Sequence, residues 1–154
     1  MKQLPDGWSV EPFEKIATTH TGRTPSRANL RYWGEADDSV PWVAISDMDK
    51  YGIVTRTAES ISAIAFRDVF QKRLVAPGTL LMSFKLTIGR VATLGVSACH
   101  NEAIISIYPR PDVDQRYLAY FLSQVDYSDH QDRQVKGDTL NGAKIRRIEV
   151  VLPP

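Results

Sequence analysis

Gly137-Asp138-Thr139-Leu140-Asn141-Gly142-Ala143-Lys144-Ile145-Arg146-Arg147-Ile148-Glu149-Val150-Val151-Leu152-Pro153-Pro154 closes the chain, and its reading sets the rest. The stretch reads as a polar loop, one turn of helix, then a short strand that stops at a double proline. The opening, Leu4-Pro5-Asp6-Gly7-Trp8, is a matching punctuation at the other end. The two ends bracket a single folded unit.

The length, 154 residues, is that of one domain, read here as 1–154. A chain of ~150 residues buries ~70% of its unfolded surface and needs no staples to hold a core. Hydrophobic residues make up 43% and charged residues 24%, the balance of an ordinary soluble globule. No apolar run approaches the ~20 residues of a membrane span. Met1-Lys2-Gln3-Leu4-Pro5-Asp6 has no apolar stretch after its lysine, so no secretory signal is expected. One cysteine, Cys99, excludes an internal disulfide and suits a reducing cytoplasm.

Net charge is only +1, but the charges are segregated. No acid lies between Glu14 and Glu35, whereas Lys15, Arg23, Arg27 and Arg31 do. Residues 131–147 hold Arg133, Lys136, Lys144, Arg146 and Arg147 against Asp132 and Asp138, while residues 35–60 hold six acids and two bases. Such a distribution gives one basic and one acidic face, unless it is the ordinary fluctuation of any surface.

Along the chain, Glu11–Ala17 predicts a short helix with Phe13, Ile16 and Ala17 on one face. Residues 18–23 predict a strand ending at Gly22, and 22–39 an irregular segment rich in turn formers. Val40–Ile45 is a strand followed by an acidic turn. Residues 59–68 form a short helix with Ile61, Ile64 and Ala65 inward. After the Pro77-Gly78 turn, Thr79–Phe84 is a buried strand. Arg90–Val96 and Glu102–Tyr108 are two more β-runs. Leu118, Phe121, Leu122 and Val125 lie on one helical stripe, with Asp112 or Asp114 as cap. Strands and helices follow no βαβ rhythm, and no Gly-rich phosphate loop follows a strand. The fold class is therefore α+β, a single globular domain with a mixed, mostly antiparallel sheet and a few short helices.

These pieces, in this order, resemble the target recognition domain of the specificity subunit of type I restriction-modification enzymes. The resemblance rests on Leu4-Pro5-x-Gly7-Trp8; Gly22-Arg23-Thr24-Pro25-Ser26; Val40-Pro41-Trp42-Val43 with Asp47; Pro77-Gly78-Thr79-Leu80-Leu81-Met82-Ser83; Ile88-Gly89-Arg90; Asn101-Glu102-Ala103-Ile104; Tyr117-Leu118-x-Tyr120-Phe121-Leu122; and the closing stretch. It covers nearly the whole chain. Two departures stand out. The long spacer helix that usually follows the Leu-Pro ending is absent after Pro154, so the chain is expected to be an excised half or a single-domain relative. Glu102 stands where the family commonly carries Gln. The resemblance implies a cytoplasmic DNA-binding component of a restriction system. It implies double-stranded DNA, a modification (methyltransferase) subunit and a restriction subunit as partners, with S-adenosylmethionine, ATP and Mg only in those partner subunits.

The candidate DNA-binding residues fall in three groups. Arg23, Thr24, Ser26, Arg27 and Arg31 lie in a turn-rich segment: cations and hydroxyls on adaptable backbone suit phosphate, and arginine suits guanine. The alternative is a solvated loop whose arginines pair with the acids near 35–38. Lys85, Thr87 and Arg90 flank Gly89 at a strand break, either facing a ligand or merely reaching water. Lys136, Thr139 and Lys144 surround Gly137 and Gly142, where a free helix start would accept phosphate; Asn141 reads as that helix's cap. Tyr32 and Trp33 are the aromatic pair placed for surface work, while Trp42 reads as core and Trp8 as packing. Asp47 and Asp49 read as a general acid–base pair, as acceptors from cytosine N4 or, more commonly for such a run, as an exposed turn.

Catalytic readings find little footing. Cys99 and His100 are neighbours in a strand, so they point to opposite faces, and no second cysteine completes a zinc site. No Gly-x-Ser-x-Gly elbow is present. No Gly-rich loop or Asn/Asp-Pro-Pro-aromatic element of an adenine methyltransferase appears. The sequence reading is thus a DNA-reading module without chemistry of its own. The same fold used as a protein interaction module, with the Leu118–Val125 stripe facing a partner, is the alternative.

Overall fold

The computed structural model describes residues 3–49, 51–130 and 142–154. Its organising element is β6 (Leu80–Ser83), whose four residues are all buried. Alternate side chains leave a strand on opposite faces. Leu80 and Met82 accordingly enter one apolar cluster, and Leu81 enters another with Val43, Met48, Leu94 and Ile104. A strand covered on both faces excludes charge, and its one polar side chain, Ser83, accepts from the Arg90 backbone N–H at 3.0 Å.

Around it, β2 (Ala17–Thr21), β9 (Ile104–Pro109), β6, β7 (Val91–Leu94) and β4 (Gly52–Val54) form a five-stranded sheet in that order. The pairs β2–β9, β9–β6 and β6–β7 are antiparallel, and β4 adds parallel to β7. A second sheet has β3 (Val40–Val43) at its centre, antiparallel to β5 (Glu59–Ile61) and parallel to the short β8 (Cys99–His100). The third is the pair β1 (Ser9–Pro12) and β10 (Glu149–Leu152), antiparallel from Ser9↔Leu152 to Pro12↔Glu149. The expected α+β class with mixed, mostly antiparallel pairing is what the chain adopts, as three sheets rather than one. The two terminal stretches that bracket the sequence are partners in space.

The helices are short. α1 (Phe13–Ile16) and α4 (Gly142–Arg146) bury Phe13, Ile16 and Ile145 against the first cluster. α3 (Gln115–Gln124) starts at Asp114, whose side chain accepts from the Tyr117 backbone N–H at 2.9 Å. Leu118 and Leu122 are fully buried, with Phe121 and Val125 packed beside them. That stripe packs into the core rather than standing out as a free apolar face for a partner. α2 (Ala63–Asp68) begins four residues later than the sequence reading places it. Glu59–Ile61 pairs with β3 instead, and Ser62 caps the helix by accepting from Ala65 N–H at 3.2 Å. The shift in phase leaves Ile64 exposed while Ile61 and Ala65 stay buried.

Candidate nucleic-acid interface

Strand register decides which loops meet. Thr21 lies opposite Ile105, Ser83 opposite Ile104, and Met82 opposite Val91. The end of β2, the end of β6 and the starts of β7 and β9 therefore share one edge of the sheet, and loops 22–29, 84–90 and 101–103 leave from it. Backbone bonds tie these loops together. Gly22 N–H donates to Ile104 O (3.3 Å), Arg23 N–H to His100 O (2.9 Å) and Phe84 N–H to Ala103 O (2.9 Å). Asn101 holds its own turn by accepting from Ala103 N–H at 3.0 Å.

On this frame Arg23 is exposed, and no described residue forms a hydrogen bond or ion pair with its guanidinium. Its carbonyl is fixed by the Trp42 indole N–H at 3.0 Å, so the backbone is rigid where the side chain is free. Thr24 donates its hydroxyl to the Glu102 carboxylate. The Ser26 side chain is exposed, and its carbonyl accepts from the Trp33 indole N–H at 3.1 Å. Lys85 and Thr87 stand on the neighbouring loop; the Lys85 ammonium is 5.3 Å from the Phe84 ring.

Two other predicted cations, Arg27 and Arg90, are already engaged. Arg27 grips Glu59 with both nitrogens (2.5 and 3.0 Å) and lies 4.0 Å over the Trp33 ring. This hydrogen-bonded pair raises the Arg27 pKa and lowers that of Glu59. The pairing acid is Glu59, not the cluster at 35–38. Arg90 turns inward, donating to the carbonyls of Ile45 and Met48, each at 3.3 Å. Arg31 sits apart from the sheet edge, beside α2, where its carbonyl accepts from the Ser62 hydroxyl at 2.6 Å. Lys144 is half-buried on α4. Lys136 and Thr139, with the cap reading of Asn141, lie outside the described residues.

The remaining candidates take structural places. Both oxygens of Asp47 are spent on backbone N–H groups of Ala44 and Ala58, at 2.8 and 2.9 Å. Trp33 is half-buried edge-on against Trp42, with ring centroids 5.0 Å apart, so it is part of a packed pair. Tyr32 packs against the same cluster. Trp42 is core, at 2% exposure. Cys99 and His100 do diverge: the thiol reaches the Arg73 carbonyl at 3.5 Å, and the imidazole reaches Ser106 Oγ at 2.6 Å. Burial pushes the Cys99 thiol up to about 12 and the His100 imidazole down. Among the described residues no three His, Cys, Asp or Glu side chains gather as a metal site, and no helix is long and apolar enough to cross a membrane. Sequence reasoning missed Glu59 and Glu102 as partners, and no local signal marks pairs 32 and 78 residues apart.

The fold is that of a specificity domain. The family model of the type I restriction modification DNA specificity domain matches residues 5–154, and the chain belongs to that family. It is 25% identical to the type I restriction enzyme HindI specificity subunit of Haemophilus influenzae, over 97% of this chain and 33% of that protein. Identity to the MjaIX specificity subunit of Methanocaldococcus jannaschii is 26%, over 98% of this chain and 35% of that protein. The chain thus spans about a third of the length of these relatives. Among solved structures, a chain from a study of complex assembly and conformational transition of the type I R-M system superposes with a TM-score of 0.77 at 16% identity, over 99% of this chain and 36% of that one. The HsdS subunit from Thermoanaerobacter tengcongensis does so at 0.68 and 15%, over 99% and 35%. These likenesses are of fold.

Proposed function

We propose that this chain reads DNA sequence and supplies one half of a bipartite target to a type I restriction-modification complex. The family match over residues 5–154 carries the reading. The unpaired Arg23, on a loop that leaves the same sheet edge as the loop of Lys85 and Thr87, supports it chemically. Phosphate contacts position such a module, and contacts to base edges specify. The chain binds and orients double-stranded DNA. Methylation of adenine N6 with S-adenosylmethionine belongs to a modification subunit, and ATP- and Mg-dependent work to a restriction subunit, all in the cytoplasm.

A single half binds weakly. Non-specific affinity for such domains is ~10⁻⁴–10⁻⁶ M at physiological salt. Each correct base pair adds roughly 1–3 kcal/mol over a mismatch, and a complex gains the rest by tethering two halves to one duplex. Selection of duplexes from a random pool by this chain tests the reading. One short contiguous motif is expected. Two blocks separated by a fixed gap would contradict the half-target assignment, and no enrichment would remove the DNA reading itself.

A further inference from the structure

Beside the loop edge lies an open cavity of about 500 Å³, between β2 and β9 on one side and the turn after α2 on the other. Arg23 and Arg73 both line it, one following β2 and the other following α2. No described residue forms an ion pair or hydrogen bond with either guanidinium. No aspartate or glutamate lines the cavity. Two exposed, unpaired arginines lining one space without a carboxylate give it a positive potential that favours an anion.

The floor does not compete for that anion. The His100 Nδ1–H donates to the Asn101 carbonyl at 3.1 Å, which leaves Nε2 to accept the Ser106 hydroxyl at 2.6 Å. The pair is closed on itself, so the open hydrogen-bonding capacity is at the mouth. The mouth is also rigid. Gln71 and Lys72 hold left-handed backbone, φ 49° and 59°, without being glycine. Lys72 N–H bonds back to Phe66 O and Arg73 N–H to Phe70 O, both at 2.9 Å. The Arg73 carbonyl in turn accepts from the Cys99 thiol. Side chains forced into such backbone cluster at ligand clamps. On the β2–β9 wall, the His20 and Tyr108 rings meet edge to face with centroids 5.8 Å apart, two flat faces on which a sugar can pack.

We propose that this groove seats a phosphodiester of the DNA backbone, with Arg73 as a second phosphate-binding residue beside the same cavity as Arg23 and the deoxyribose against the His20–Tyr108 pair. The assignment rests on the DNA reading above and adds residues that the sequence did not single out. Phosphate chemistry is shared with free nucleotides, so the test separates the two sources.

The experiment measures the affinity of the 154-residue chain for a random-sequence duplex across a salt series, for wild type, Arg73→Ala and Arg73→Lys. Arg73→Ala flattens the log–log salt slope by about 0.9, and Arg73→Lys retains it. Any selected motif stays the same for Arg73→Ala, since a lost phosphate contact weakens all sequences alike. Arg67→Ala, whose guanidinium is already paired with Asp68, leaves the slope unchanged and controls for net charge. Circular dichroism reports folding, and Arg73→Gln keeps the apolar stem if truncation to alanine disturbs the turn. Equal slopes for wild type, Arg73→Ala and Arg73→Gln overturn the proposal. Saturable binding of deoxyadenosine monophosphate, lost in Arg73→Ala while the duplex slope is unchanged, overturns the backbone assignment in favour of a free nucleotide. A wild-type chain without salt-dependent duplex binding fails both this proposal and the DNA reading; a normal wild-type slope with unaffected variants fails this proposal alone.

Discussion

Gly22→Ala is the perturbation that most directly probes how the loop edge is built. A Cβ at residue 22 would sit 2.0 Å from the His100 carbonyl oxygen, 2.3 Å from that of Asn101 and 2.3 Å from His100 Nδ1. Two of these are backbone atoms, held by Arg23 N–H to His100 O and by Asn101 N–H to Val43 O. Relief therefore requires the 22–24 segment to lift away, breaking the Gly22–Ile104 and Arg23–His100 bonds. Overpacking costs roughly 1–3 kcal/mol, and two hydrogen bonds contribute about 1 kcal/mol each. The expected loss is about 3–5 kcal/mol, read as a fall of the urea midpoint by roughly 1 M or more for a slope of 1–3 kcal/mol/M. Duplex affinity falls further than in Arg23→Ala, because the backbone that aims Thr24 and Arg23 moves together. A midpoint within ~0.2 M of wild type at unchanged slope would refute the reasoning.

Arg27 and Arg23 should separate cleanly. Arg27→Ala removes an exposed ion pair and a stacked cation, costing up to about 1 kcal/mol of stability with little change in the salt slope of DNA binding; Arg23→Ala should leave stability alone and flatten the slope by about 0.9. Buried neutral His100 has its pKa held below the usual imidazole value of about 6.5. Its stabilisation is present above that pH and is lost as pH falls below it, because the unfolded chain takes up the proton first. Urea midpoints for wild type and His100→Gln across this range should show the larger acid-side slope in wild type. The Cys99 thiol, buried and pushed up to about 12, should resist alkylation in the native state and react only on unfolding; rapid native labelling would place it at the surface.

Much of the fold is written locally. The charge-free run at Thr79–Phe84, the 3.6-residue stripe from Leu118 and the helix–strand ending at Pro153 each report a periodicity that burial then follows. Short pairings are not local: Gly52–Val54 and Glu59–Ile61 are strands only because β7 and β3 lie beside them. The candidate site divides on the same line. The free Arg23 and Lys85 were legible as cations on turn-rich segments. That Arg27 is spent on Glu59, and Arg90 on carbonyls 42 and 45 residues away, follows from tertiary contacts with no local trace. Arg73 shows the converse: nothing local marks it, and only the fold brings it to the same cavity as Arg23.

The most direct measurement of the central claim is the ratio of this chain's affinities for its selected duplex and for a scrambled duplex of equal length, at one salt concentration. A preference of about tenfold or more, near the 1.4 kcal/mol that a correctly read base pair supplies, is the predicted result. Equal affinity for both duplexes would mean that the chain holds DNA without reading it.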